Sequence, residues 1–119
     1  MKRNYVEMRE QIKFVTWFKT QYPQYKELIA HFANGGYRDI RSASLFKAMG
    51  VLPGIPDLGI FVVTKSSPGL FIEMKSTKGR LRPEQQRIIT LLRGQTYQVD
   101  VAKSYDEACI ITKEYLKNC

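Results

Sequence analysis

Hydrophobic and polar residues recur along the chain with two different periods, and together they predict eight elements of secondary structure. In residues 6–20 the apolar side chains recur at steps of three and four, as in an amphipathic helix: Met8, Ile12, Val15 and Phe18. Short β-branched or alternating runs predict strands. In chain order we predict a helix over 6–20, a short strand or helical turn over 28–33, a helix over 42–49, strands over 58–64 and 70–75, a helix over 83–94, a strand over 97–102 and a final helix after residue 104. This order predicts a mixed α/β fold in which helices cover a sheet.

Capping residues place the boundaries of the last two helices. Pro83 suits the first position of a helix, where its missing N–H has no partner to lose, and Gly94 suits the end. Ser104 is followed three residues later by Glu107, which is the pattern of a capping box. Both helices are therefore predicted to begin immediately after polar connections.

A loop and a hairpin are predicted in the middle of the chain. Pro53 and Pro56 remove two amide donors, so this stretch is predicted to be a loop. The strands over 58–64 and 70–75 are separated by a short polar segment, which predicts a β-hairpin. With no repeat, low-complexity tract or linker, residues 1–119 are predicted to form a single domain.

Composition excludes several classes of protein. A hydrophobic fraction of 44% is ordinary for a globular domain and argues against disorder and collagen. The longest apolar run, Ile60–Val63, is too short to cross a membrane, and the basic start of the chain is not followed by the apolar stretch of a secretory signal. Cys109 and Cys119 are too few for a disulfide framework, so we expect a cytoplasmic protein and assign Cys109 to the core.

The charge of the chain indicates a polyanionic partner. The formal net charge is +8, and a small basic domain attracts nucleic acid. The alternative is a protein that is basic and soluble but has no such partner. The positive charge is concentrated in residues 75–93, where one acidic residue, Glu84, accompanies six basic ones: Lys75, Lys78, Arg80, Arg82, Arg87 and Arg93. This segment is therefore the first candidate for a nucleic-acid contact.

Three residues of the predicted hairpin form a candidate catalytic site. Glu73 and Lys75 are two positions apart on a strand and leave the same face, and Asp57 stands where the first hairpin strand begins. Two converging carboxylates favour a hard cation such as Mg²⁺ or Mn²⁺, and a lysine beside them suits phosphodiester hydrolysis. The geometry requires a register in which paired positions sum to an even number, for example 57 opposite 75. The alternative is a solvated Glu73–Lys75 pair on an exposed strand face.

The surrounding residues favour the catalytic interpretation. Gly54-Ile55-Pro56-Asp57 followed by Ile72-Glu73-Met74-Lys75 resembles the pattern of PD-(D/E)XK nucleases, and the longer string resembles their VRR-NUC branch, which occurs as small phage and bacterial proteins and in the Fanconi-associated nuclease. The resemblance covers nearly the whole chain. Further matching residues are Glu7, Gln11, Trp17, His31, Asn34, Gly35, Arg38, Pro83 and Gln85. Thr96 departs from the family, which has a glycine there, and we expect Gly94 to take over the turn.

The resemblance implies a role for each site residue. Asp57 and Glu73 would bind Mg²⁺, for which Mn²⁺ would substitute, and the Met74 carbonyl would be a further ligand. Lys75 would position or activate the attacking water. Two more assignments depend on the resemblance alone: Gln85 would hold Lys75 or a phosphate oxygen, and Glu7, rather than the alternative Glu10, would add a carboxylate from the first helix.

Several polar residues are predicted to contact DNA. Lys78, Arg80 and Arg82 lie just beyond the catalytic strand, and Lys47 and Arg38 are weaker candidates of the same kind. His31 is assigned to organising the site or touching the DNA backbone. Asn34, with Gly35 and Gly36, suits a turn first and a substrate contact second. Phe14, Trp17 and Phe18 are most simply core or interface residues.

The predicted function is a Mg²⁺-dependent endonuclease acting on DNA. Because the branch is similar to enzymes that resolve four-way (Holliday) junctions, which need two symmetric cuts, we predict a homodimer whose interface involves the apolar first helix. Two alternatives stay open. One is a nuclease of the same fold that cuts flaps, nicks single strands or acts in defence; the other is a basic DNA-binding module without catalysis. The expected compartment is the cytoplasm of a bacterial or phage-infected cell.

Overall fold

The computed structural model describes residues 5–32 and 40–119. Its helices and strands are α1 (Tyr5–Gln21), β1 (Ile29–His31), α2 (Ile40–Ala48), β2 (Leu58–Ile60), β3 (Leu70–Met74), α3 (Pro83–Gly94), β4 (Gln98–Ala102) and α4 (Tyr105–Leu116). The predicted order of elements is confirmed, and the segment at 28–33 contains a strand rather than a helical turn. The predicted turn at Asn34 lies outside the described residues.

The four strands form one mixed sheet in the order β1-β2-β3-β4. β2 is antiparallel to both β1 and β3, so the predicted hairpin is confirmed, and β4 is parallel to β3. Leu58 lies opposite Ile72, and continuing this register places Asp57 opposite Glu73. The condition for a shared face is therefore met, with a different partner for Asp57 from the example of residue 75.

Strand β2 is shorter than the sequence predicts. It ends at Ile60 rather than Thr64, because Ile60 already lies opposite Leu70, the first residue of β3. Beyond this point the neighbouring chain is not a strand, and the Thr64 N–H instead donates to the Ser67 carbonyl at 2.8 Å. The start of β3, rather than the apolar pattern of residues 58–64, therefore sets the length of β2.

Helices cover both faces of the sheet. α1 and α4 pack on one face, where Phe14, Phe18 and Tyr115 meet Ile72 and Met74 of β3 in the larger core cluster. On the other face, Phe71 and Val99 pack against Ile89 of α3. Since side chains alternate along β3, Glu73 points to the same side as Phe71, toward α3.

The buried stripe of helix α1 keeps Val15 and Phe18 of the predicted one, but includes Phe14 in place of Ile12. Phe14 and Phe18 are fully buried, whereas Ile12, which we placed on the apolar face, is 62% exposed. Both stripes satisfy helical spacing, and the stripe that buries two aromatic rings removes more apolar surface from water. The assignment of Phe14 and Phe18 to the core is confirmed, while Ile12 is available at the surface.

Three side chains accept hydrogen bonds from main-chain amides at the start of α4. Ser104 accepts a hydrogen bond from the Glu107 N–H at 3.1 Å, as predicted. The Glu107 carboxylate accepts from the N–H of Lys103 rather than from that of Ser104, so the box is shifted by one residue. Glu10 of α1 accepts from the Tyr105 N–H at 2.8 Å. Helix α1 therefore satisfies one of the free amides at the start of α4.

The turn after α3 depends on Thr96, and the expectation that Gly94 would take it over is wrong. Thr96 has a φ of 70°, and the Tyr97 N–H donates to the Leu92 carbonyl across it. This is a Schellman motif, in which the left-handed residue is usually glycine. A Cβ at Gly94 would meet no atom within 4 Å, so neither packing nor a left-handed turn requires a glycine there.

Within the described part of the chain, no helix is long and apolar enough to span a membrane. Cys109 is buried, as predicted, and both it and the exposed Cys119 are free thiols.

Candidate active site

The hairpin brings Asp57, Glu73 and Lys75 together at the end of β3. Asp57 precedes β2, Glu73 lies in β3, and Lys75 follows its last residue. The Nζ of Lys75 is 3.5 Å from the Glu73 carboxylate. Lys75 also stays attached to the sheet, because its N–H donates to the Ala102 carbonyl at 2.9 Å. The three side chains that the sequence singled out therefore belong to one constellation.

Glu73 is a buried carboxylate with a strongly perturbed pKa. Its residue is only 3% exposed. Burial, and secondly the charge of Asp57, raise the pKa of Glu73 from 4.5 to about 7, although Lys75 acts in the opposite direction. A single lysine does not compensate for two carboxylates, one of them buried, so the site attracts a further positive charge.

Asp57 is held by the main chain on two sides. Its carboxylate accepts a hydrogen bond from the Met74 N–H at 2.8 Å, and its carbonyl accepts from the Phe32 N–H at 2.8 Å. The loop before it is fixed by Gly54, which has a φ of 92°. A Cβ at Gly54 would lie 2.5 Å from the Glu84 carbonyl oxygen in the first turn of α3. This position therefore requires glycine, and it ties the Asp57 loop to α3.

Pro56 offers no hydrogen-bond donor to the carbonyl of Met74. The sheet register places Pro56 opposite Met74, as the next hydrogen-bonded pair after Leu58 and Ile72. A proline has no N–H to donate, so the Met74 carbonyl finds no ladder donor there. The amide and carbonyl of one strand residue point to the same neighbour, so this oxygen emerges on the side of Asp57, whose carboxylate binds the Met74 amide.

Gln85 contacts Glu73, a partner that the sequence did not indicate, and its expected role at Lys75 or a phosphate oxygen stays a prediction. Its Nε2 donates to Glu73 at 3.0 Å, and its Oε1 accepts from the Arg82 N–H at 2.9 Å. Gln85 is the third residue of α3, so the first turn of the helix fixes the amide in one orientation. Both ends of the amide are engaged, and Glu73 is thereby held against α3.

Glu7 lies at the site and Glu10 does not. The Glu7 carboxylate accepts from the Ser76 N–H at 3.0 Å, one residue beyond Lys75. Glu10 instead binds the start of α4 and lies 3.7 Å from Lys13. Of the two alternatives, the geometry favours Glu7.

The donor set fits a magnesium ion better than a zinc ion. Among the described residues, no three His, Cys, Asp or Glu side chains are grouped closely enough to form a metal site. Two carboxylates and a main-chain carbonyl remain, all hard oxygen donors. Mg²⁺ is commonly bound through one or two carboxylates and keeps several waters, whereas structural zinc requires four protein ligands.

The basic residues predicted to contact DNA lie at the surface wherever the structure describes them. Lys47, Lys78, Arg80 and Arg82 are all exposed, and Arg82 makes an ion pair with Glu84 at 3.2 Å. Asn34 and Arg38 lie outside the described residues.

One contact of a family-matched residue emerges only from the structure. Gln11, noted in the sequence only as a match to the family, contacts His31.

A comparison with family models identifies the chain. The model of the VRR-NUC domain matches residues 5–106. The chain belongs to the VRR-NUC family. A solved structure described as a "VRR_NUC domain protein" has 28% sequence identity and a TM-score of 0.83, over 98% of this chain and 93% of the other. No match was found among the curated proteins.

Family membership establishes the class of protein. VRR-NUC domains are nucleases of the PD-(D/E)XK type, so this chain carries a nuclease domain whose substrate is DNA. The mixed sheet flanked by helices, predicted from the sequence, is the fold shared with the solved VRR-NUC structure.

Proposed function

We propose that this VRR-NUC protein is a divalent-metal-dependent endonuclease that hydrolyses DNA phosphodiester bonds at Asp57, Glu73 and Lys75. The observation that carries the proposal is the buried Glu73 carboxylate, which faces the charge of Asp57 and has Lys75 Nζ 3.5 Å away. A buried carboxylate that faces a second, partly buried one is costly unless a cation joins them. Because the family consists of nucleases, we expect the cation to bind a phosphate group of DNA.

Each residue has a task that follows from its position. Asp57, Glu73 and the Met74 carbonyl would hold Mg²⁺, with Mn²⁺ as a substitute and Glu7 acting directly or through water. When bound, the cation supplies Lewis acidity toward the phosphate and lowers the pKa of water. Lys75 holds its ammonium beside Glu73, where it orients a water and offsets negative charge on the phosphate. Gln85 keeps Glu73 in place.

A four-way junction is the substrate we propose, cut by a homodimer. A junction has two equivalent strands to cut, and a two-fold dimer presents two sites in matching orientation. Exposed apolar residues offer surfaces for the dimer: Val6 and Ile12 on α1, and Leu45 and Met49 on or next to α2. The α1 pair supports the interface predicted from the sequence.

Two other functions are distinguished by simple assays. A nuclease for flaps, nicking or defence would cut a different member of a substrate panel. A DNA-binding module would bind without cutting, and the retained Asp57, Glu73 and Lys75 argue against it.

The testing experiment is cleavage of labelled four-way junction, flap, duplex and single-stranded DNA with Mg²⁺, Mn²⁺ or EDTA. We expect paired symmetric junction cuts that require metal and are lost in Lys75→Ala and Asp57→Ala, while DNA affinity is kept. Lys65→Ala removes an exposed lysine from the hairpin loop and serves as the matched control. Wild-type rates in Lys75→Ala contradict the site assignment. Binding without cutting of any substrate contradicts the nuclease proposal.

A further inference from the structure

One side of Asp57 is held by a pair of residues outside the proposed metal ligands. The imidazole Nδ1 of His31 lies 2.9 Å from the Asp57 main-chain carbonyl. Because a carbonyl oxygen only accepts, Nδ1 carries a proton and donates it. The side-chain amide of Gln11 lies 3.2 Å from the same nitrogen. Turned with its oxygen toward the ring, that amide shares the proton and orients the imidazole.

Asp57 lies at the margin of the sheet, where contacts from outside the strand ladder contribute to its position. It precedes the first residue of β2, and its neighbour Pro56 lacks an N–H. The Asp57 carbonyl therefore receives one main-chain donor, the Phe32 N–H at 2.8 Å, and His31 supplies a second. On the other side, the carboxylate is joined to β3 through the Met74 N–H. A shift of the carbonyl would move the carboxylate away from Met74 and Glu73.

We infer that His31 and Gln11 are positioning residues for Asp57: they fix its main chain, and through it the carboxylate that faces Glu73. This inference rests on the proposed function of the site. His31 Nδ1 faces inward although the residue is exposed. Of the two roles expected for His31, this contact favours organising the site. A contact with the DNA backbone would use the outer edge of the ring instead.

The residue types suggest a sharp set of variants. In His31→Asn, the amide nitrogen occupies nearly the place of Nδ1 and keeps the donor. His31→Gln moves the donor one bond outward, and His31→Ala removes it. Gln11→Ala removes the second member of the pair, and Gln24→Ala, at an exposed glutamine in the turn after α1, is its matched control.

Two measurements test the inference. Hydrogen exchange at the Met74 amide reports the Asp57 contact without DNA or metal. We expect faster exchange in His31→Ala and His31→Gln, near wild-type exchange in His31→Asn, and an unchanged melting temperature within about 4 °C. In cleavage assays, kcat falls by about 10- to 100-fold in His31→Ala, as for other residues that orient metal ligands, while KM for DNA stays within about twofold. Gln11→Ala shifts both readouts in the same direction, and Gln24→Ala shifts neither.

Other outcomes overturn the inference in distinguishable ways. A raised KM with unchanged kcat in His31→Ala makes His31 a DNA contact. His31→Asn as impaired as His31→Ala removes the donor argument. Unchanged Met74 exchange in every variant shows that Asp57 does not depend on the pair. If the wild type cuts no DNA, the proposed function fails, and Met74 exchange still decides whether the pair positions Asp57.

Discussion

Replacing Glu73 by glutamine is expected to make the metal-free protein more stable at neutral and alkaline pH. Glutamine has the shape of the protonated glutamic acid and keeps an oxygen that accepts the hydrogen bond from Gln85. It removes a buried negative charge that faces Asp57. The variant therefore behaves like the wild type with Glu73 permanently protonated.

The magnitude follows from the pKa. With the pKa of Glu73 raised from 4.5 to about 7, the folded state keeps a proton in this window that the unfolded state has lost. The free energy of unfolding of the wild type therefore falls as pH rises from about 4.5 to about 7, by about 3 kcal/mol in total. This figure already includes the opposing effect of Lys75. The difference between Glu73→Gln and wild type should grow from near zero at about pH 4.5 to about 3 kcal/mol at about pH 8.

The assay is urea unfolding in EDTA across this pH range, followed by the fluorescence of Trp17, the single tryptophan. Carboxylates remote from Glu73 titrate equally in both proteins and cancel in the difference, whereas Asp57, which faces Glu73, belongs to the titration that is measured. Glu114→Gln, at a surface carboxylate 3.0 Å from Lys117, is the control and should change stability by less than about 1 kcal/mol. A difference that does not grow with pH, or a less stable Glu73→Gln at about pH 8, refutes the reasoning.

Adding Mg²⁺ extends the same experiment to the proposed ligands. At about 100 times its dissociation constant, a bound ion stabilises the wild type by about 2.7 kcal/mol. Glu73→Gln should gain less, because one of the two carboxylates is gone. An equal gain in both proteins excludes Glu73 as a ligand.

Two other predictions concern the α3 turn and the DNA surface. Thr96→Gly should stabilise the protein by about 0.5 to 1 kcal/mol in urea unfolding, because it relieves a β-branched residue at a φ of 70°, and a destabilised variant contradicts this. Arg80 and Arg82 changed together to alanine should reduce the slope of log affinity against log salt concentration by about 2, as two lost phosphate contacts require, and an unchanged slope removes both from the DNA surface.

The order of elements and the catalytic constellation were accessible from the sequence because both depend on local chemistry. Apolar periodicity identifies helices and strands, and Pro83 marks the start of α3 where the structure has it. The spacing of Glu73 and Lys75 guarantees a common face on any strand. Asp57 joins them because a hairpin brings its open ends together, and the register of β2 and β3 meets the condition for a shared face.

Local patterns were less informative where two sets of residues suited the same structural role equally well. Met8 and Ile12 have helical spacing as good as that of Phe14 and Phe18, and only packing against the sheet chose the aromatic stripe. The turn after α3 was assigned to Gly94 from residue preference. The structure places the left-handed position at Thr96, because the hydrogen bonds that end the helix require it there.

Long-range contacts decided everything that depends on distance between elements. Only the tertiary structure shows that Gln85 binds Glu73, that Glu7 rather than Glu10 reaches the end of β3, and that His31 contacts the Asp57 carbonyl. Sequence spacing describes neighbours within one helix or strand, whereas these contacts join elements whose relative placement comes from burying both faces of the sheet. The sequence by itself identified the candidate catalytic groups, and packing determined how they are held.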